Sequence, residues 1–383
     1  MEIHPFTIQI PQVVLDDLSE RLARTRWPDE VDGAGWDYGT NLAYLRSLVD
    51  YWHNHFDWRA QEAMLNRFAQ FHADVDGFGL HFIHERGKGP KPLPLILTHG
   101  WPDSFLRMTK IIPLLTDPAS HGGDPADAFD VVVPSLPGYG FSDRPAEPGS
   151  APDRIADLFA ALMTRALGYP RFAAHGGDWG SSVTEQLASR HAASLAGIHL
   201  TDVPYWHLFT TPAERLSTEE RAYLEAGQRW QMDEGAYALI QGSRPQTLAY
   251  GLSDSPVGLA AWLVEKFRAW SDCDGDVERR FTKDELLTHI TLYWVTGTIN
   301  SANRLYYEAR RHPSRDSGRI AVPTGAAIFP KDLVPAPRAF GERFFDVRRW
   351  TEMPRGGHFA AWEEPELLAD DLRAFFRPLR SGA

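Results

Sequence analysis

The sequence predicts an α/β protein: a mostly parallel sheet covered by helices on both faces, a helical lid, and a helical, aromatic N-terminal segment. Three observations lead there. Strand-like apolar runs alternate with helical patterns between residues 93 and 201, the rhythm of parallel βαβ units. From about Val203 to Asn300 the pattern turns helical, and strand-like runs return at Gly325–Phe329 and Phe345–Trp350. A chain of 383 residues with 43% hydrophobic content can bury one large core plus an accessory layer. The expected divisions are residues 1–70 as an N-terminal meander packed on core and lid, 71–202 and 311–383 as the two parts of the core, and 203–310 as the cap.

In chain order, Leu15, Leu18 and Leu22 recur at helical spacing before Trp27-Pro28 stops that helix, and Tyr44, Leu45, Leu48 and Trp52 suggest another. The period changes to two at Phe71–Val75, and Asp76-Gly77 followed by Leu80 and Phe82 reads as a tight hairpin. Strands are expected at Leu93–Thr98, Phe129–Val133, Phe172–Ala174 and Leu195–Thr201. Ile155, Leu158, Leu162 and Ala166 mark one helical face. Capping-box signals stand at Ser217–Glu220 and Thr282–Glu285, and a final helix begins near Pro365. A helical insertion between strands is how such sheets roof the strand ends where ligands bind.

Composition narrows the function. A net charge of −12 without a basic stripe argues against nucleic acid or anionic membrane as partner. The single cysteine, Cys273, excludes an internal disulfide, and no HExxH-type spacing suggests zinc. The first residues lack a signal peptide and no apolar run reaches spanning length, so a cytoplasmic protein without a membrane anchor is expected. A homo-oligomer is compatible with the sequence.

The chemistry centres on His175-Gly176-Gly177-Asp178-Trp179-Gly180. A small-x-nucleophile-x-small frame between a strand and a helix is the sharp turn that lifts one side chain above a parallel sheet, as in α/β hydrolases. Here the lifted residue is Asp178. Such a nucleophile needs a base, an orienting acid and donors for developing negative charge. His358, in Gly356-Gly357-His358-Phe359 between the last strand and the last helix, is the base candidate. Asp332, at the exit of the penultimate strand, is the preferred acid, with Asp202 as its rival; Glu363 and Glu364 read as first-turn helix residues. His99-Gly100-Trp101-Pro102 follows a strand where an oxyanion-hole loop originates, so the backbone N–H groups of Trp101 and Trp179 are the donor candidates.

A carboxylate nucleophile suits displacement at saturated carbon. Serine would leave a stable ether, whereas aspartate leaves an ester that activated water can cleave. The electrophile is then an epoxide or a carbon–halogen bond, and an epoxide oxygen also needs a proton donor.

Several motifs together resemble the microsomal-type epoxide hydrolases over nearly the whole chain. They are the aromatic N-terminal segment, His99–Phe105, Gly138-Tyr139-Gly140-Phe141-Ser142, Gly176–Gly180, Asp254–Ala260, Tyr293–Thr298 and Gly356–Ala361. The resemblance implies an α/β-hydrolase core, a helical cap, no cofactor, and two cap tyrosines that activate the epoxide oxygen. By motif these match Tyr237 in Gly235–Gln241 and Tyr306 in Arg304–Glu308, with Tyr307 as a neighbouring alternative for the second. The implied reaction turns an apolar aryl or alkyl epoxide and water into a vicinal diol through an ester on Asp178. The alternatives are a haloalkane dehalogenase using the same aspartate, and a non-catalytic binding module on the same shell.

Overall fold

Runs such as Leu93–Thr98 and Phe129–Pro134 carry no polar face, a pattern suited to strands covered on both sides. The computed structural model describes residues 1–313 and 318–382 and places these runs at the centre of one sheet. The strands are β1 (Ile3–Phe6), β2 (Gln70–Val75), β3 (Phe78–Glu85), β4 (Leu93–Thr98), β5 (Phe129–Pro134), β6 (Phe172–Gly176), β7 (Leu195–Leu200), β8 (Ile320–Ile328) and β9 (Phe345–Glu352). Their order across the sheet is β1-β2-β3-β5-β4-β6-β7-β8-β9. The block from β5 to β9 is parallel, and β1, β2 and β3 pair antiparallel at one side. From β4 the chain crosses to β5 on one side and then to β6 on the other. A reversal of this kind opens a crevice at the strand C-terminal ends, here above β4 and β6.

One expectation fails at the N-terminus. Residues 1–70 read as helical, yet Ile3–Phe6 is an edge strand paired with β2 in the register Ile3↔Ala73 to Phe6↔Gln70. Four residues containing a proline, two of them exposed, give no period to read, and only the sheet edge tolerates proline there. The rest of that segment is helical: α1 (Gln12–Ala23), α2 (Leu42–Asn54) and α3 (Trp58–Leu65). Asp57 caps α3 by accepting the Ala60 N–H, a helix the sequence reading had not singled out. The Asp76-Gly77 hairpin turn has both residues at positive φ, 55° and 80°, as a two-residue turn between right-twisted strands requires.

Helices α4 (Ile111–Thr116), α5 (Pro152–Ala161) and α6 (Trp179–Arg190) cover the sheet, and α5 runs on into a π-helical turn over Leu162–Ala166. The cap comprises α7 (Trp206–Thr210), α8 (Thr218–Asp233), α9 (Ala236–Gln241), α10 (Pro245–Asp254), α11 (Pro256–Trp270), α12 (Lys283–Thr296) and α13 (Ile299–Arg311). Both capping boxes form, starting α8 and α12. After β8 come α14 (Arg338–Phe344), β9, α15 (Ala360–Glu363) and α16 (Pro365–Phe376). The strand read at Gly325–Phe329 begins five residues earlier, at Ile320.

The N-terminal helices brace the cap. Trp52 donates its indole N–H to Thr291 at 3.0 Å, Thr40 its hydroxyl to the Ala261 carbonyl at 2.7 Å, and Arg21 pairs with Asp254 at 2.9 Å. Trp58 stays inside its own segment, donating to Glu62. Among the described residues no helix is long and apolar enough to cross a membrane.

Candidate active site

The sharp turn between β6 and α6 leaves Asp178 at φ 58° and ψ −128°. A non-glycine residue held there costs about 1–3 kcal/mol, so the surroundings must hold it. The Asp178 N–H donates to Asp202 Oδ1 at 2.8 Å, and the Asp178 carbonyl accepts the Ser181 N–H at 2.9 Å. Two glycines make the bend possible. A side chain at Gly180 would run into the Thr98 carbonyl, and one at Gly100 into the Asp178 carboxylate.

Three further elements converge on that carboxylate. The Trp101 N–H, in the loop after β4, donates to Asp178 Oδ1 at 2.8 Å. Trp179 is the first residue of α6, so its N–H belongs to the first-turn donors that a helix leaves without internal partners. His358, after β9, has Nε2 3.5 Å from Asp178 Oδ2, an ion-pair contact without hydrogen-bond geometry. Its Nδ1 lies 2.7 Å from Asp332 Oδ1, and both side chains are buried. Burial alone would lower the imidazole pKa; the Asp332 carboxylate, aided by Asp178, overrides this and lifts it to about 10. The resting site therefore holds an imidazolium between two carboxylates.

Asp202, the rival acid, is not the partner of His358. It sits under the bend, accepting from the Asp178 N–H and from Ser181 Oγ, both at 2.8 Å. Burial and the Asp332 charge raise its pKa to about 7.

Above Asp178 a cavity of about 500 Å³ opens under the cap, lined by both Tyr237 and Tyr306 as well as Trp179, Asp202, Asp332 and His358. Tyr237 stacks on Trp101, centroids 4.9 Å apart and planes 9° from parallel. Tyr306 meets Tyr237 and Trp179 edge-on at 5.7 and 4.9 Å. The buried Tyr306 hydroxyl faces that of Tyr237 without forming a well-aligned hydrogen bond among the described residues. Tyr307 points elsewhere, its ring beneath the Arg311 guanidinium at 4.8 Å, and it does not line the cavity. Burial, with the charge of Asp178 adding for both, raises both cavity phenols well above the ordinary value.

Two parts of the site escaped the sequence reading. Glu363 lies in the single turn of α15 and Glu364 is the N-cap of α16, as read, but their hydrogen bonds give them a role beyond the helix start. Glu363 ends α15 and accepts from the Gly357, Phe359 and Asp272 N–H groups at 3.1, 2.9 and 2.8 Å, clasping the loop on both sides of His358. Glu364 pairs with Arg280 and Arg355. The Glu-Glu-Pro pattern marks the start of α16, and the long-range loop bonds are what it does not reveal. The second part is the buried Asp103–Arg107 pair, 2.7 Å apart. Asp103 accepts the Gly100 N–H at 2.8 Å, and Arg107 donates to the His358 carbonyl. The pair thus ties the Trp101 loop to the His358 loop. Spacing of four residues was its only signal. Among the described residues no group of three His, Cys, Asp or Glu forms a metal-ligand cluster.

A parallel sheet with an acidic side chain raised at the bend after β6, and a histidine after the last strand, defines an α/β hydrolase. The description "alpha/beta hydrolase fold" matches residues 94–241, and "Epoxide hydrolase N terminus" matches residues 3–108. The chain is 37% identical to Epoxide hydrolase 1 of the pig, Sus scrofa, over 97% of its length and 88% of the relative's. It superposes on juvenile hormone epoxide hydrolase from the silkworm Bombyx mori with TM-score 0.85 and 30% identity, covering 99% of this chain and 94% of that one. For Aspergillus niger epoxide hydrolase the values are 0.86 and 30%, covering 99% and 97%. The chain belongs to the epoxide hydrolase family.

Proposed function

We propose that the protein hydrolyses an apolar aryl or alkyl epoxide to a vicinal diol through a covalent ester on Asp178. The observation that carries the reading is the pairing of one carboxylate with both sets of groups. Asp178 is oriented by the Trp101 N–H at 2.8 Å and faces His358 Nε2 at 3.5 Å, in a cavity shared with two phenols. Trp206, Phe209, Leu239 and Val334 line that cavity, which suits an apolar substrate.

In the first step an Asp178 oxygen attacks an epoxide carbon, the carbon–oxygen bond breaks, and Tyr237 and Tyr306 supply the proton and hydrogen bond that the leaving alkoxide needs. In the second, His358 first passes its resting proton to the tyrosinate left by ring opening and then, oriented by Asp332, takes a proton from water. The hydroxide equivalent attacks the ester carbonyl carbon, and the Trp101 and Trp179 N–H groups hold the resulting oxyanion. Collapse expels the ester oxygen of the diol, which takes the proton from His358, and the proton left on the Asp178 carboxyl returns to His358, restoring the resting site. A haloalkane substrate would need no phenol pair, and a binding module would need no imidazole held between two carboxylates.

A single turnover in heavy-oxygen water tests the covalent route. The diol of that first turnover carries no label, while the Asp178 carboxylate gains it. Label in the first-turnover diol shows direct attack by water and overturns the reading. Halide release from a bromoalkane, run beside diol formation from styrene oxide, separates the dehalogenase alternative.

A further inference from the structure

The Tyr237 phenol stands where its acidity is weakened. Burial and the Asp178 charge both oppose its ionisation, and that penalises a donor as its proton departs. Among the described residues, the groups that bear on it include Asp178, Tyr306, Tyr205 and Glu234, with His358 lining the same cavity and a cation over its ring. That cation is Lys266 of α11, whose ammonium lies over the Tyr237 ring at 5.1 Å and over the Trp270 ring at 5.5 Å. Its Nζ is anchored by Glu265 at 2.6 Å and Glu234 at 3.5 Å. Glu234 lies between α8 and α9, three residues before Tyr237, so the ammonium is pinned to the segment that carries the phenol as well as to its ring.

A lysine stem usually lets its charged end escape to water. Here the lysine side chain is 8% exposed, while its two carboxylates are 25% and 33% exposed. The carboxylates lie nearer solvent than the ammonium they hold.

We propose that Lys266 is a positioning residue for ring opening: its ammonium, held over the Tyr237 ring, supports the negative charge that grows on the phenol as its proton passes to the epoxide oxygen. A cation on an aromatic face is attracted by the ring's electron density. The attraction grows as charge spreads from the oxygen into the ring, so it is larger in the transition state than in the ground state. Lys266 touches no substrate and acts through Tyr237. Ester hydrolysis draws no proton from Tyr237, so only the first step feels the lysine. The inference rests on the donor role given to Tyr237 above.

The test uses the full chain, with Lys266→Met, Lys266→Arg, Tyr237→Phe and the Lys266→Met/Tyr237→Phe double variant. Lys266→Gln stands in should the methionine variant fold poorly. Alkylation by styrene oxide and hydrolysis of the ester are timed separately in single turnovers by rapid quench. Lys266→Met is expected to slow alkylation about tenfold and to leave hydrolysis within about twofold. Lys266→Arg keeps most of the wild-type rate. In the Tyr237→Phe background the lysine substitution changes alkylation less than about twofold, because the group it acts through is gone. Equal slowing of both steps, undiminished slowing in the phenylalanine background, or no slowing at all overturns the proposal. A wild-type alkylation rate in Tyr237→Phe alone removes the donor role itself, a failure visible without any lysine variant.

Discussion

Replacing Asp332 with asparagine removes one negative charge and almost no volume, and its consequence can be worked from the geometry. His358 Nδ1 sits 2.7 Å from Asp332 Oδ1, with both side chains buried. The lift of the imidazole from its ordinary 6.5 to about 10 corresponds to roughly 5 kcal/mol in favour of the imidazolium, and Asp332 is the largest contributor in that direction. In the proposed cycle ester hydrolysis forms an imidazolium as His358 takes the water proton, so most of that support would be lost from its transition state. An asparagine amide can also hold the ring in the wrong tautomer, and in Ser-His-Asp enzymes the corresponding change lowers turnover by about 10⁴. Asp332→Asn is therefore expected to slow ester hydrolysis by about 10³–10⁴. Attack by Asp178 needs no base, and alkylation should stay within about tenfold. The alkyl-enzyme then accumulates. Intact-mass spectrometry after mixing with styrene oxide should find nearly every molecule carrying one substrate, with a burst of one equivalent and slow diol release afterwards. Parallel loss of both steps, or a variant that never retains the adduct, would refute the assignment of Asp332 to the second step.

Other outcomes follow from the same geometry. The folded-state pKa values of His358 and Asp202 both lie above their ordinary values, at about 10 and about 7. A raised histidine adds stability that is complete below about 6.5 and is lost as pH climbs toward 10. The raised Asp202 moves stability the same way between about 4 and 7. Urea unfolding free energy should thus fall between pH 7 and 10, and His358→Gln should flatten that decline. Gly180→Ala drives a methyl group into the Thr98 carbonyl, backbone that cannot step aside. A loss of about 1–3 kcal/mol is expected in the unfolding free energy measured with urea. Tyr306→Phe should slow alkylation at least about tenfold, while Tyr307→Phe, whose ring lies under Arg311, should leave it within about twofold; the reverse pattern would exchange their roles.

How much could be read beforehand divides along a physical line. The buried strands β4 to β7 were legible because a doubly covered strand is apolar throughout, and the bend at Asp178 because its glycines are a steric demand written at fixed spacing. His358 and Asp332 were reachable because the fold brings loops together in a known order. The β1 edge strand was not, since half its residues face water and its pairing lies with residues 70–73. Glu363 and Arg107 were missed for a related reason. Each acts on the His358 loop through backbone groups, Glu363 on the N–H groups either side of it and Arg107 on its carbonyl. Backbone partners leave no trace in residue identity. Asp202 was seen as a possible acid because it follows a core strand. Its place under the Asp178 N–H depends on a three-dimensional fit that spacing does not encode.

The charge arrangement also orders the two halves of the proposed cycle. In the resting site His358 lies between Asp178 and Asp332, and their charges, against burial, favour its protonated form, which is not yet a base. That protonation keeps Asp178 beside a cation, and no water is activated before substrate arrives. Alkylation turns Asp178 into a neutral ester and removes one of the two carboxylates that hold the imidazole pKa up. Burial, which pushes the other way, is unchanged. The pKa of His358 then falls, and in the proposed cycle its proton passes to the tyrosinate that ring opening leaves, so that a neutral base is present for the second step. The acid limb of the hydrolysis rate should accordingly lie below pH 10, the value set by the resting ion pairs. An acid limb at or above the resting value in single-turnover hydrolysis of the preformed ester would mean that Asp178 does not contribute to holding the proton. The coupling between the two steps would then need another source.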